Sequence, residues 1–95
     1  MSVRPEVTVL YFAAASTATG LTSERILLPA PANASERFHL SSLSKILISK
    51  HPGSNLEKIL QTSRWSVDAE MVESPEDTIL VGGEEVAIIC PVSGG

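Results

Sequence analysis

The sequence predicts an α+β domain in which one mixed sheet carries a main helix across one face. Two runs near its ends, residues 7–13 and 85–89, have apolar residues on both alternating faces, as buried central strands do. Between them, apolar residues recur at helical spacing from residue 40, and shorter strand-like runs flank this segment. The 95 residues suit one domain. We expect residues 1–90 to form its body and residues 91–95 a tail.

The first third of the chain predicts two strands. Val7 to Ala13 is β-branched and aromatic, which indicates a central strand covered on both sides. Ser16 to Thr19 predicts a short helical turn that stops at Gly20. Glu24 to Leu28 predicts the second strand, which a proline-rich loop follows.

The middle of the chain predicts the main helix. Apolar residues lie on one helical face at Leu40, Leu43, Ile46 and Leu47. Ser41 or Ser42 can cap its start, and residues 51–53 (His-Pro-Gly) end it. Residues 54–57 match a capping box, so a second helical segment follows.

The last third predicts three strands. Residues 65–71 alternate between apolar and polar side chains, which indicates one strand with a face in water. Residues 74–77 form a turn, residues 78–81 a short strand and residues 82–84 a tight turn. Residues 85–89 then form the final strand, beside the first one.

Composition excludes several classes of function. The net charge of −4, from seven Lys+Arg against eleven Asp+Glu, argues against a nucleic-acid partner. No apolar run approaches the roughly 20 residues of a membrane span. The single cysteine, Cys90, allows no internal disulfide and favours a reducing, cytoplasmic location. It shares a strand face with Val86 and Ile88, which favours a packing role over a reactive thiol.

Catalytic and metal-binding signatures are missing from the sequence, so we expect that the chain is not an enzyme and binds no metal. His39 and His51 are twelve residues apart without a zinc-type pattern, which favours surface or turn positions for both. Ser93 lacks the Gly-x-Ser-x-Gly setting of a nucleophile elbow.

The tail carries the chemistry that the sequence favours most. Pro91 cannot donate to a sheet ladder and therefore ends the strand. Gly94 and Gly95 lack side chains, so a flexible tail of Pro91, Val92, Ser93, Gly94 and Gly95 can enter a narrow channel. Extended, it reaches roughly 17 Å. We expect the Gly95 carboxylate to be the reacting group; the alternative is a frayed linker.

The last residues resemble a known family. Residues 83–89 (Gly-Glu-Glu-Val-Ala-Ile-Ile) followed by 91–95 (Pro-Val-Ser-Gly-Gly) closely resemble the ending of the small, sulfur carrier subunit of molybdopterin synthase. The resemblance implies the ubiquitin-like β-grasp fold. Four features depart from the family pattern: Cys90 stands for a proline and Glu84 for an aspartate, residues 30–37 resemble an insertion, and the strand near Asp68 lacks a Val-Asn pair.

The resemblance also implies a mechanism. A ubiquitin-activating-like enzyme would use ATP to adenylate Gly95 and then convert it to a thiocarboxylate. The tail would enter the large synthase subunit, where its sulfur attacks cyclic pyranopterin monophosphate on the way to molybdopterin. This chain would hold no permanent cofactor, and the catalytic side chains would belong to the large subunit. It would contribute the tail and a docking face to a heterotetramer.

Two alternatives share the fold. A ubiquitin-related modifier carries sulfur for tRNA thiolation or conjugates to proteins, although its tail usually ends in His-Gly-Gly rather than the pattern found here. A plain interaction module would use an exposed sheet edge for strand addition.

Overall fold

A computed structural model describes residues 5–29 and 37–90. The elements, in chain order, are β1 (Glu6–Tyr11), α1 (Ala13–Thr19), β2 (Ser23–Leu27), β3 (Phe38–His39), α2 (Leu40–Lys50), α3 (Leu56–Thr62), β4 (Arg64–Val67), β5 (Glu70–Val72), a 3-10 helix (Pro75–Asp77), β6 (Ile79–Leu80) and β7 (Glu85–Ile89). No helix in this part of the chain is long and apolar enough to cross a membrane.

The main sheet has five strands in the order β2-β1-β7-β4-β5. Strands β1 and β7 run parallel at its centre, with Thr8 opposite Glu85 and Tyr11 opposite Ile88. All other pairs in this sheet are antiparallel, so the predicted mixed sheet is confirmed. The short strand β6 does not join it, because it pairs with β3 in a separate two-stranded sheet.

The core lies on one side of the sheet. Val7, Val9 and Tyr11 of β1 are buried there, while the alternate residues of that strand are only partly buried. The prediction that β1 is covered on both sides is therefore wrong: the buried residues of all three α-helices belong to the same core cluster. The opposite face of the sheet carries no helix among the described residues.

Helix α2 supplies the centre of this core. Leu40, Leu43 and Leu47 have no exposed surface, and Ile46 is partly buried, as the helical spacing predicts. The cap residue is His39 rather than Ser41 or Ser42. The helix begins earlier than expected because the chain enters it directly from β3, and the Leu40 N–H donates to the Thr78 carbonyl at 2.7 Å.

The predicted capping box of α3 does not form. The Ser54 hydroxyl accepts a hydrogen bond from the Leu56 N–H at 3.3 Å, instead of from the N–H of Glu57. Asn55, in a left-handed conformation (φ 69°), is the residue immediately before the helix, so Ser54 does not occupy the cap position. The helix itself is confirmed, with Leu56 and Leu60 buried.

The predicted single strand over residues 65–71 is a hairpin. Asp68 and Ala69 have φ values of 50° and 70°, and the chain reverses there between β4 and β5. Alternation persists on both sides of the turn, which is why the sequence resembles one strand. Asp68 anchors the turn to β7: its N–H donates to the Glu85 carbonyl at 2.8 Å, and its carboxylate accepts from the Glu85 N–H at 2.9 Å.

The glycine turn before β7 forms as predicted. The Glu84 carboxylate accepts hydrogen bonds from the N–H groups of Val81 and Gly82, at 2.8 and 2.7 Å. Gly82 has a φ of 118°, and a Cβ at this position would lie 2.8 Å from the Pro5 Cβ. The turn therefore requires glycine both for its conformation and for the close approach of β1.

Candidate functional site at the root of the tail

The predicted site residues, Pro91 to Gly95, lie outside the described residues. The structure describes the root from which they extend, namely β7 and Cys90. Strand β7 is hydrogen-bonded on both sides, to β1 and to β4, so the tail begins at the middle strand of the sheet.

Cys90 lies between neutral groups at this root. Its Sγ is 3.4 Å from the Phe12 carbonyl oxygen, to which the thiol donates, and 3.7 Å from the Ser63 hydroxyl. The residue is partly buried and packs against the core cluster, which supports the predicted packing role. Through these contacts, Cys90 links the end of β7 to the start of α1 and to the end of α3.

An apolar surface surrounds the root. Phe12 is 48% exposed and Ile89 is 36% exposed. On the helix-free face of the sheet, the strand register aligns one row of residues across four strands: Leu10, Ala87, Ser66 and Met71. Met71 is 55% exposed at the end of this row. Ala87 and Ser66 in the middle of the row are only 8% and 6% exposed. Phe12, Ile89 and the row form the root surface, whose exposed apolar part is supplied by Phe12, Ile89 and Met71.

A polar cluster, which the sequence did not predict, lies near the other face of β1. The Tyr11 hydroxyl donates to the Glu24 Oε1 at 2.7 Å, and the His51 Nε2 lies 2.9 Å from the same oxygen. The rings of Tyr11 and His51 meet edge to face, with centroids 6.0 Å apart. The cluster joins β1, β2 and the end of α2. Only the turn position of His51 had a sequence signal, because contacts between distant residues leave no local pattern.

The cluster shifts two pKa values. Burial, together with the hydrogen bond to Glu24, raises the pKa of Tyr11 far above its ordinary value, so the phenol stays neutral. Burial alone would raise the pKa of Glu24, but hydrogen bonds from His51 and Tyr11 and the charges of His51 and Lys50 outweigh it and lower that pKa. The carboxylate is therefore ionised at neutral pH, and its Oε1 accepts both hydrogen bonds.

Neither histidine belongs to a metal site in the described part of the chain, where no group of three or more His, Cys, Asp or Glu side chains could hold a metal ion. His51 is a turn residue, as predicted, but its ring is mostly buried against Glu24.

Comparison with known proteins identifies the family. The model of the ThiS family matches residues 9–95, which include the whole tail. The chain belongs to the ThiS family. Within it, the chain is 45% identical over 93 residues to the molybdopterin synthase sulfur carrier subunit of Mycosarcoma maydis, covering 96% of this chain and 95% of that protein. The human protein of the same name is 35% identical over 91 residues, covering 95% and 94%.

A solved structure shares the fold of this ThiS family member. SAMP1 from Haloferax volcanii superposes with a TM-score of 0.72, at 16% identity, covering 95% of this chain and 99% of that one. The ubiquitin-like β-grasp fold expected from the resemblance is confirmed.

Proposed function

We propose that this chain is the sulfur carrier subunit of molybdopterin synthase. The observation that carries the proposal is the full-length similarity to subunits of that name, at up to 45% identity over 93 residues. The departures at Glu84 and near Asp68 are compatible with it: the Glu84 carboxylate accepts hydrogen bonds within the turn, from the Val81 and Gly82 N–H groups, and Asp68 accepts one from the Glu85 N–H at the start of β7. They alter local turn chemistry and leave the root of the tail in place.

The chain acts as a carrier, and its own side chains perform no catalysis. An activating enzyme uses ATP to join AMP to the Gly95 carboxylate, with release of pyrophosphate. A hydrosulfide equivalent from the sulfur donor then attacks the acyl carbon, its new C–S bond replaces the C–O bond to AMP, and AMP and a proton leave to give the thiocarboxylate. That sulfur is the nucleophile toward cyclic pyranopterin monophosphate inside the large subunit. We place these steps in the cytoplasm, where a chain with one cysteine stays reduced.

The carrier has two working parts: the tail, Pro91 to Gly95, and the root surface. The tail delivers the thiocarboxylate, and its glycines permit a narrow entry. The root surface is the docking face for the large subunit, because an interface core is apolar and the exposed Phe12 and Ile89 side chains border the point where the tail enters. Two carriers and two large subunits then form the heterotetramer.

Intact-mass spectrometry tests the carrier role. After incubation with ATP, the activating enzyme and a sulfur donor, the chain should gain the mass of one sulfur in place of one oxygen. A matched chain with one residue added after Gly95 should gain nothing. Conversion of the extended chain, or no conversion of the native one, contradicts the proposal.

Ile89→Asp tests the docking face. The side chain is 36% exposed, so folding should persist, while affinity for the large subunit should fall by at least about tenfold if the position lies in the interface core. Val81→Asp, at the opposite end of the sheet and 71% exposed, is the control and should bind normally. Equal affinities for the two variants would place the interface elsewhere.

A further inference from the structure

A concave surface on the helix side of the sheet lies between α2, α3, β4 and the 3-10 helix. It has a volume of about 260 Å³. Ile48 of α2, Leu60 of α3 and Trp65 of β4 supply its apolar wall, and Ser41 and Ser44 add hydroxyl groups. We call it the helix cleft.

Trp65 brings an unused hydrogen-bond donor to the wall of the helix cleft. The residue is only 7% exposed, and a buried indole N–H normally donates to a partner. The indole of Trp65 makes no hydrogen bond with the described part of the chain. No side-chain nitrogen or oxygen in that part is both fully buried and unpartnered, so the indole nitrogen reaches solvent at a surface that the ring lines. It is therefore free to donate to a ligand.

The charges around the indole differ between the two concave surfaces that it lines. In one, which includes Arg64 and Glu73, a basic and an acidic side chain are both present. In the helix cleft, Glu57 and Glu76 are the charged residues, and no basic side chain stands among its described lining residues. Neither of these carboxylates makes an ion pair or a hydrogen bond with the described residues. The helix cleft therefore favours a cation beside an acceptor for the indole N–H.

We propose that the helix cleft binds the amino terminus of a partner protein. The terminal ammonium would pair with Glu57 and Glu76, and the first carbonyl oxygen would accept from the Trp65 N–H. The first side chain, an apolar one, would cover Ile48 and Leu60. An amine alone would leave the indole donor unpartnered, and a carboxylate alone would be repelled by the two acids. A chain end suits this small cleft, because a passing segment would have to enter it and leave again.

The helix cleft is separate from the proposed sulfur-transfer surfaces. Trp65 lies opposite Ile88, and both side chains belong to the core cluster on the helix side of the sheet. The row of the root surface lies on the helix-free face. An occupant of the helix cleft therefore leaves the tail and the root surface free, and a failure of this proposal would leave the carrier role untouched.

The indole of Trp65 reports directly on binding, because it is the one tryptophan of the chain. The probe is leucyl-glycinamide, titrated into the full chain while NMR follows the indole N–H signal, which should move downfield. Acetyl-leucyl-glycinamide keeps the carbonyl groups without the charge and should bind at least about tenfold more weakly. Acetyl-lysinamide, with its ammonium on a side chain, should be equally weak. No indole shift up to the solubility limit, or equal or tighter binding of either acetylated probe, overturns the proposal.

Two double variants locate the cation site. Glu57→Gln with Glu76→Gln removes both proposed partners at exposed positions, so the chain should fold normally, while affinity for leucyl-glycinamide should fall at least about fivefold. Glu70→Gln with Glu73→Gln changes the net charge equally at exposed positions outside the helix cleft and should bind normally. Unchanged affinity in the first double variant, or equal losses in both, refutes the proposal.

Discussion

The Glu24 carboxylate shows how a single residue holds three elements together. It accepts hydrogen bonds from Tyr11 at 2.7 Å and from His51 at 2.9 Å, and its side chain is 21% exposed. Because the ionised form makes these bonds, the fold lowers the pKa of Glu24 below its ordinary value of 4.5. A carboxyl group with a lowered folded-state pKa stabilises the protein above that ordinary value, and the contribution disappears as the pH falls through the folded-state value.

Glu24→Gln tests this linkage. At pH 7 the variant should lose about 1–3 kcal/mol of unfolding free energy, because two donors lose a charged acceptor. Below pH 4.5 the difference from the native chain should shrink, because Glu24 of the unfolded chain is protonated first there and the folded carboxyl group follows at a lower pH. Urea unfolding at pH 7 and at pH 3 measures both values. Glu57→Gln, at an exposed position, is the control; a Glu24→Gln difference that is equal at both pH values contradicts the linkage.

At the scale of elements, turns decide where the sheet reverses. The β4–β5 hairpin turns through Asp68 and Ala69, both with positive φ, where two-residue hairpin loops usually contain glycine. Asp68 compensates through its two hydrogen bonds with Glu85. Ala69 has no such role for its side chain and carries the strain of a left-handed conformation.

Ala69→Gly should therefore stabilise the protein by up to about 1 kcal/mol, because glycine removes the left-handed strain. Ala14→Gly is the matched control: Ala14 is exposed within α1, where glycine should destabilise by about 1 kcal/mol. Chemical denaturation of both variants gives the sign of each change. Loss of stability in Ala69→Gly would mean that the turn is unstrained.

The glycine turn gives a second matched pair. Gly82→Ala should destabilise by more than about 2 kcal/mol, because its Cβ would lie 2.8 Å from the Pro5 Cβ in addition to the strain at φ 118°. A Cβ at Gly83 meets nothing within 4 Å, so Gly83→Ala should cost only about 1 kcal/mol for its φ of 88°. Thermal unfolding should rank the two in this order, and equal losses would show that Pro5 moves aside freely.

At the scale of the whole molecule, the body and the tail should respond to mutation separately. Gly94→Ala should leave the unfolding free energy unchanged within about 0.5 kcal/mol, because the position lies beyond the packed strand. Sulfur transfer with the large subunit should nevertheless fall strongly, since a methyl group would obstruct the narrow entry that we propose for the tail. Single-turnover transfer from the thiocarboxylate form measures this effect, with Ser93→Ala as the control. Normal transfer by Gly94→Ala contradicts tail insertion.

The sequence predicted the architecture because its strongest signals are local and periodic. The apolar runs of β1 and β7 predicted neighbouring central strands, and the spacing of Leu40, Leu43 and Leu47 predicted the main helix. The sequence did not predict the β4–β5 hairpin, because alternation continues through a turn that lacks glycine. It did not predict the Tyr11–Glu24–His51 cluster, because residues far apart in the chain form it. The geometry of the tail stays a prediction.

The parallel pairing of β1 with β7 places the last strand at the middle of the sheet. During synthesis, the edges of β1 and β4 that later pair with β7 stay unpaired until residues 85–89 have left the ribosome. A chain broken off before Glu85 cannot close its sheet, so proteases should remove it. Truncated chains that lack β7 would then not accumulate, and they would not compete with intact carriers for the same partners.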